Sequence, residues 1–387
     1  MVNPLNRGRV PARSIVTACM MSIGFFAPAS AQQGGEWAPL ASMHIARQET
    51  GADRIGGKVY VVGGLLNERP VRATDTVEVY DVAGDEWTFA APMPAPRDHA
   101  GVAAAGGRLY VLGGFAGDFQ ARDQVFEYTP RRDRWTQKSH IPAPRGACWA
   151  VTHGGLIYVF GGVDAGNVVQ ASTFIYDPRR DRWSAGADMT VRREHLNAVA
   201  LGDYVYVIGG RAGSATNAVE RYDPRRDRWD RMANMPTARS ATSAAALGFT
   251  IYVAGGEIPM LHRVNEVYDV LKNEWSRQAD MAIPRHGISA VALDDRILNP
   301  AGGIVQGLLP TNEVDAFIPA PIAGDADGDY DVDLHDAAAF WNCFTGVDGG
   351  PIGPECEPAD LDGNQRVDLG DYAVFAAAQT GPARGGR

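Results

Sequence analysis

The densest chemistry in the chain lies near its C-terminal end. Two acidic stretches, DADGDYDVDLHD at 325–336 and DLDGNQRVDLGD at 360–371, start 35 residues apart and align without a gap. Both put oxygen donors at loop positions 1, 3, 5, 9 and 12. These are Asp325, Asp327, Asp329, Asp333 and Asp336 in the first, and Asp360, Asp362, Asn364, Asp368 and Asp371 in the second. Position 7 would offer the backbone carbonyl of Asp331 or Arg366. Hard oxygen donors at this spacing wrap a calcium ion, and the carboxylate at position 12 closes the sphere. The expected cofactor is Ca2+, two ions per chain. Carboxylates this dense repel one another without a cation, so the segment is expected to gain helix when calcium binds. Position 6, where glycine is usual, holds Tyr330 and Gln365. If the turn there is left-handed, each costs about 1 kcal/mol.

Other polar candidates recur through the rest of the chain. Arg47, Arg97, Arg145, Arg193, Arg239 and Arg285 each follow a Met, or in one case Ile141, by four residues. Beside them stand Glu49, Asp98, His99, Glu194, His195 and His286, and nearby loops add Phe119, Arg211 and Glu257. A residue demanded in every copy reads first as a brace. A residue that varies between copies, His99 and His195 especially, reads as part of a pocket. The candidate ligand contacts are Arg97, His99, Arg193, Glu194, His195, Arg239 and Arg285. Three copies of an Arg-Arg-Asp-Arg turn, at 131–134, 179–182 and 225–228, read as solvated hairpins rather than as a stripe for a polyanion.

A repeat of about 48 residues must position these side chains. Gly pairs begin at Gly63, Gly113, Gly161, Gly209, Gly255 and Gly302, and tryptophans fall at Trp37, Trp87, Trp135, Trp183, Trp229 and Trp275. Tyr80, Tyr128, Tyr176, Tyr222 and Tyr268 keep the same beat. A β-branched and aromatic strand precedes each Gly pair (KVYVVGG, RLYVLGG, LIYVFGG), and another precedes each Tyr, giving four short strands per unit. These units resemble kelch repeats over about 37–318. The resemblance implies a β-propeller with one four-stranded blade per repeat, and partner binding on the face that carries the arginines. Trp37 precedes the first Gly pair and no Trp stands between Gly302 and the acidic loops, so the N-terminal strand is expected to complete the last of six blades. Joining the chain ends in one blade removes the open edges. The sixth copy departs from the pattern, with Asn299 in the Tyr slot of its strand and Pro300 beside it.

A short apolar segment follows each acidic loop, LHDAAAFWNCFTG and LGDYAVFAAAQTG. Paired loops of this kind, each followed by a helix, resemble type I dockerin modules over about 324–381. The resemblance implies a cohesin-like or other extracellular scaffold partner. Dockerins often carry a Ser-Thr pair where this chain has Leu334-His335 and Leu369-Gly370, which leaves open a partner other than the well-known cohesins. Cys343 and Cys356 lie between the loops and could form a disulfide in an exported module.

At the other end, Arg7, Arg9 and Arg13 precede an apolar stretch and the small-residue pattern Ala29-Ser30-Ala31. This reads as a secretory signal peptide over 1–31, placing the protein outside the cell, at its surface or in a periplasm. The expected organisation is a propeller over 32–319, a linker over 320–323, the dockerin-like domain over 324–381 and a disordered tail over 382–387. The fold class is an all-β six-bladed propeller of kelch type plus a small α-helical domain with two EF-hand-like calcium loops. The formal net charge of −10 belongs wholly to residues 321–387, where three Arg face eleven Asp and two Glu. Such a chain is a poor nucleic-acid binder, and no later stretch is apolar enough to span a membrane.

The functional expectation is an exported binding module for a protein or glycan ligand. Its calcium-dependent tail would dock it to a partner, to a polysaccharide-degrading assembly or to the cell surface. The alternative is a carbohydrate-active enzyme. Sialic-acid mutarotase-like proteins are exported six-bladed kelch propellers. A galactose-oxidase-like copper enzyme is disfavoured, because Cys148 has no evident copper set around it and that family has seven blades. No nucleophile elbow, HExxH motif or phosphate loop is present.

Overall fold

The computed structural model describes residues 34–322, 324–325, 328–330, 332–344 and 353–378. The expected signal peptide, Asp327, Asp331 and the tail over 382–387 lie outside the described residues. Six four-stranded antiparallel sheets form the blades of a propeller. The first is built from Gly51–Ile55, Lys58–Val62, Val77–Asp81 and Glu86–Ala90. The sixth uses Val291–Ala292, Ile297–Pro300 and Val314–Ile318, and Glu36–Pro39 completes it from the other end of the chain. Trp37 lies opposite Phe317 in that closing pair. Asn299 and Pro300 keep the ladder with Asp315 and Val314, but the innermost strand of this blade shortens to two residues.

The second strand of each blade is covered on both faces by its neighbours, which is why it reads as an unbroken apolar run. Val59, Val61, Leu109, Val111, Ile157 and Val159 are all buried. Outer strands such as Arg134–Lys138 expose most of their residues to water.

The repeated aromatic residues latch one blade to the next. Tyr128 donates to Asp133 Oδ1 at 2.6 Å, and the same oxygen accepts the Ala91 N–H of the preceding blade at 2.8 Å. Trp135 Nε1 donates to the Ala91 carbonyl at 2.8 Å. The same arrangement recurs around Asp85, Asp181 and Asp227, and around Asn273 in blade five. The aspartate of each Arg-Arg-Asp-Arg turn is therefore a structural acceptor, held in a left-handed conformation.

The Gly pairs and the arginines interlock. The Arg97 carbonyl accepts the Gly64 N–H at 2.8 Å, and a Cβ on Gly63 would lie 2.1 Å from that same oxygen. Gly302 N–H donates to the Arg47 carbonyl at 2.9 Å, so the contact also joins the last blade to the first.

Two helices follow the propeller, α1 (Leu334–Cys343) and α2 (Leu369–Ala378). Asp333 caps α1 in a capping box with Asp336. Phe340 of α1 and Phe375 of α2 stack at 5.0 Å over a core shared with Val332, Ala359 and Val367. A disulfide joins Cys343 to Cys356, and Cys148 is free and buried. Tyr330 and Gln365 do take left-handed conformations, with φ 66° and 65°. The Tyr330 ring is put to use, since its hydroxyl donates to the Asp295 carbonyl of the propeller at 2.7 Å. Among the described residues, no helix is long and apolar enough to cross a membrane.

Candidate functional site

The residue two places after each repeated arginine takes a left-handed conformation. These residues are Glu49, His99, Ala147, His195, Ala241 and Gly287, with φ between 49° and 61°. Their backbones hydrogen bond in a closed circle. Each N–H donates to the carbonyl of the equivalent residue in the preceding blade, and Glu49 closes the circle onto Gly287, all at 2.9–3.0 Å. This ring encircles the propeller axis. Three of its members are small, which leaves room for Glu49, His99 and His195 to converge.

The imidazoles of His99 and His195 meet edge to face with centroids 4.8 Å apart. His99 Nδ1 bonds to Asp98 Oδ1 at 2.5 Å, and its Nε2 lies 3.4 Å from Glu49 Oε2. His195 repeats the motif, with Nδ1 paired to the preceding Glu194. Arg211 spans the opposite wall. It donates to Glu194 at 2.5 Å and to Glu257 at 2.6 Å, and reaches His195 Nε2 at 3.2 Å. His286 Nε2 lies 3.6 Å from Glu49 and 3.8 Å from Glu257. Burial works against a charge on His99, but Glu49 and Asp98 outweigh it and raise its pKa. Burial holds His195 well below the usual imidazole range, helped by the charge of Arg211.

Above this cluster opens a cavity of ≈ 260 Å³, walled by Leu65, Val71, Phe119 and Leu308 around the polar floor. The long loops around it carry exposed apolar side chains: Phe119, Val168, Met260, Ile304 and Val305. A second cavity, ≈ 360 Å³, occupies the axial channel and is lined mainly by alanine and valine. Asp53 stands in it, its carboxyl pushed up to about 6 by burial.

The structure separates the residues that the sequence grouped as ligand contacts. His99, Glu194 and His195 belong to the mouth cluster. Arg97, Arg193, Arg239 and Arg285 do not, because their side chains are buried inside the blades. Arg193 donates to the Gly209 and Ala218 carbonyls at 3.1 and 2.7 Å and pairs with Glu220 at 2.6 Å. Arg239 pairs with Glu266, and Arg285 with Asp315. In blade two the equivalent carboxylate is replaced by Phe126, and the Arg97 guanidinium stacks 5.1 Å above that ring. Burial lowers the pKa of Arg193 to about 10, which leaves it charged at neutral pH. These arginines brace the blades and are unavailable to a ligand. Glu49, Asp98, Arg211, Glu257 and His286 complete the mouth. The fixed offset of two from each arginine would have singled out Glu49 alongside the two histidines.

In the C-terminal segment the carboxylates of Asp360, Asp362 and Asp371 converge within 4.8 Å of one another. Asp371 is fully buried, and it accepts the N–H groups of Asp362 and Asp368 at 3.0 and 2.8 Å. Asp360 accepts from Asn364 and Gln365 at 2.9 and 2.7 Å. In the first loop Asp325 accepts from Gly328 and Tyr330 at 2.7 and 2.9 Å, and Asp336 is buried. An all-oxygen, mostly carboxylate donor set folded around one point fits a hard cation. Asp329, Asp333, Asn364 and Asp368 lie in the same two loops, and Arg366 is exposed.

Residues 50–256 match the family described as the KLHDC2/KLHL20/DRC7 Kelch-repeats domain, and residues 238–282 match the Kelch motif. No curated protein matches the chain. A solved structure titled "Structure of YjhT" is similar with a TM-score of 0.62 at 20% identity, covering 71% of this chain and 96% of that one. At that identity the likeness is one of fold.

Proposed function

The chain belongs to the Kelch-repeat family, and on that premise we propose that it is an exported interaction module with two working ends. The upper face of the propeller, the one on which the mouth cavity opens, receives a protein or glycan ligand. The two acidic loops and helices of the C-terminal segment attach the module, through bound calcium, to an extracellular scaffold. Kelch propellers are typically interaction modules, which supports this reading.

One observation carries the reading. Exposed apolar side chains on second-to-third-strand loops of four blades, Phe119, Val168, Met260, Ile304 and Val305, share the face on which a cavity with a polar floor opens, and Phe119 walls it. Exposed large apolar residues gathered on one surface mark an interaction site, and functional residues concentrate on loops held by a rigid scaffold. The loops between second and third strands bring them together. Exposed Trp341, Leu369 and Tyr372 on α1 and α2 offer a second surface, suited to the docking role.

The test is a screen of the full chain, held in calcium, against glycans and extracellular proteins, followed by substitution of the best binder's contact face. Phe119→Ala and Met260→Asp are expected to weaken binding at least about tenfold, the loss of about 1.4 kcal/mol. Leu271→Asp, on the opposite face, is expected to leave it unchanged. The reverse pattern would overturn the reading.

A further inference from the structure

We propose that the mouth of the propeller binds a divalent transition-metal ion of the zinc class, held by Glu49, His99 and His195 with one position open to the cavity. The proposal deepens the ligand-site reading of that cavity and rests on it for location alone.

The donor geometry is the first argument. Zinc bonds of about 2.0–2.1 Å place tetrahedral donors roughly 3.3 Å apart. His99 Nε2 and Glu49 Oε2 are already 3.4 Å apart. One donor atom from each of Glu49, His99 and His195 lies within 4.8 Å of the others, so a side-chain movement of the order of 1 Å brings the third donor in.

The groups behind the donors are the second argument. A metal-bound imidazole almost always gives its other ring nitrogen to a carboxylate or carbonyl, which fixes its tautomer and direction. Both histidines have such a partner in the preceding residue, Asp98 for His99 and Glu194 for His195. Each Nδ1 is thereby engaged, which leaves Nε2 as the donor. His286, 3.6 Å from Glu49 Oε1, steadies the third ligand.

Charge is the third argument. Glu49, Asp98, Glu194 and Glu257 place four largely buried carboxylates at the floor of the cavity, with Arg211 the one guanidinium among them and His99, His195 and His286 the neighbouring imidazoles. Buried charge has to be compensated. A divalent cation removes most of this excess. Two imidazoles and one carboxylate suit zinc and its neighbours and do not suit calcium or magnesium. Arg211 now donates to His195 Nε2. A metal there takes that place, and Arg211 keeps Glu194 and Glu257 as acceptors. The remaining coordination position faces the ≈ 260 Å³ cavity, where a ligand oxygen or nitrogen could occupy it.

The test uses untagged full-length protein, stripped with chelator and returned to millimolar calcium so that the acidic loops do not compete for zinc. After gel filtration, one zinc per chain is expected, and cobalt in its place should give visible ligand-field bands. His99→Gln/His195→Gln is expected to retain no zinc, and Asp98→Asn to weaken binding about 10–100-fold. Gly287→Ala provides a variant that spares every ligand. Its Cβ would meet the Glu49 carboxylate at 2.6 Å, and alanine already occupies this ring position at Ala147 and Ala241. It too is expected to weaken zinc, whereas His140→Gln is not. If the double variant does not fold, Asp98→Asn and Gly287→Ala carry the test. No zinc retained under these conditions, or equal zinc in wild type and the ligand variants, overturns the proposal. Ligand binding by the zinc-free protein, scored with the upper-face substitutions, decides the ligand-site reading separately.

Discussion

A single aspartate oxygen can hold two blades together. Asp133 Oδ1 receives the Tyr128 hydroxyl and the Ala91 N–H of the neighbouring blade. Removing it in Asp133→Ala is expected to cost about 2 kcal/mol in denaturant unfolding. Asp133→Asn should be nearly neutral, because Asn273 makes the same two contacts in blade five. The Tyr128 hydrogen bond holds the Asp133 carboxyl below the usual carboxylate range. A depressed folded-state pKa stabilises the protein above the unfolded value near 4 and loses that contribution as pH falls through the folded value. Melting temperature measured downward from pH 5 should therefore fall less in Asp133→Asn than in wild type. The arginines give a second contrast at this scale. Arg193→Ala strands the buried Glu220 and is expected to cost about 3–5 kcal/mol. Arg97→Ala leaves the Phe126 ring and the neutral Gln124 amide behind, with no stranded carboxylate, and should cost clearly less; equal losses would contradict the bracing account.

Blades and loops were legible in the sequence to different degrees. The Gly pairs and Trp located six blades because each makes the same backbone contact from copy to copy, and the Tyr kept the same beat in five of them through its bond to an Asp or Asn side chain. The role of the arginines was hidden, because their carboxylate partners lie on a different strand, 27 residues on for Glu220 and 31 for Glu78. Nothing in a local pattern marks a pair at that distance. The left-handed ring was hidden for another reason. Its members are Glu, His, Ala and Gly, with no shared side-chain chemistry, and only the closed circle of backbone bonds imposes the conformation. A β-branched residue in that ring should be poorly tolerated, and Ala241→Val is expected to cost about 1–3 kcal/mol in thermal or denaturant unfolding. The position-6 residues of the acidic loops belong here too. Tyr330 departs from glycine, and its hydroxyl reaches the propeller, a contact that no loop pattern announces.

At the scale of the whole molecule, closure depends on a four-residue strand. Glu36–Pro39 completes the sixth blade, and Trp37 Nε1 donates to the Ala279 carbonyl of blade five at 2.8 Å. Deleting that strand exposes the edge of Val314–Ile318, and an open edge recruits other chains. Light scattering should detect association of the deleted form at concentrations where the intact chain is monodisperse. The chain's acidity has a similar anatomy, concentrated after the propeller around two acidic loops. The central claim is that this segment is a calcium-dependent attachment for a ligand-binding propeller. Calorimetric titration of calcium into the chelator-treated full chain tests it most directly. The account predicts two ions per chain, with one lost in Asp336→Asn and the other in Asp371→Asn. No calcium uptake, or uptake unchanged in both variants, would contradict it.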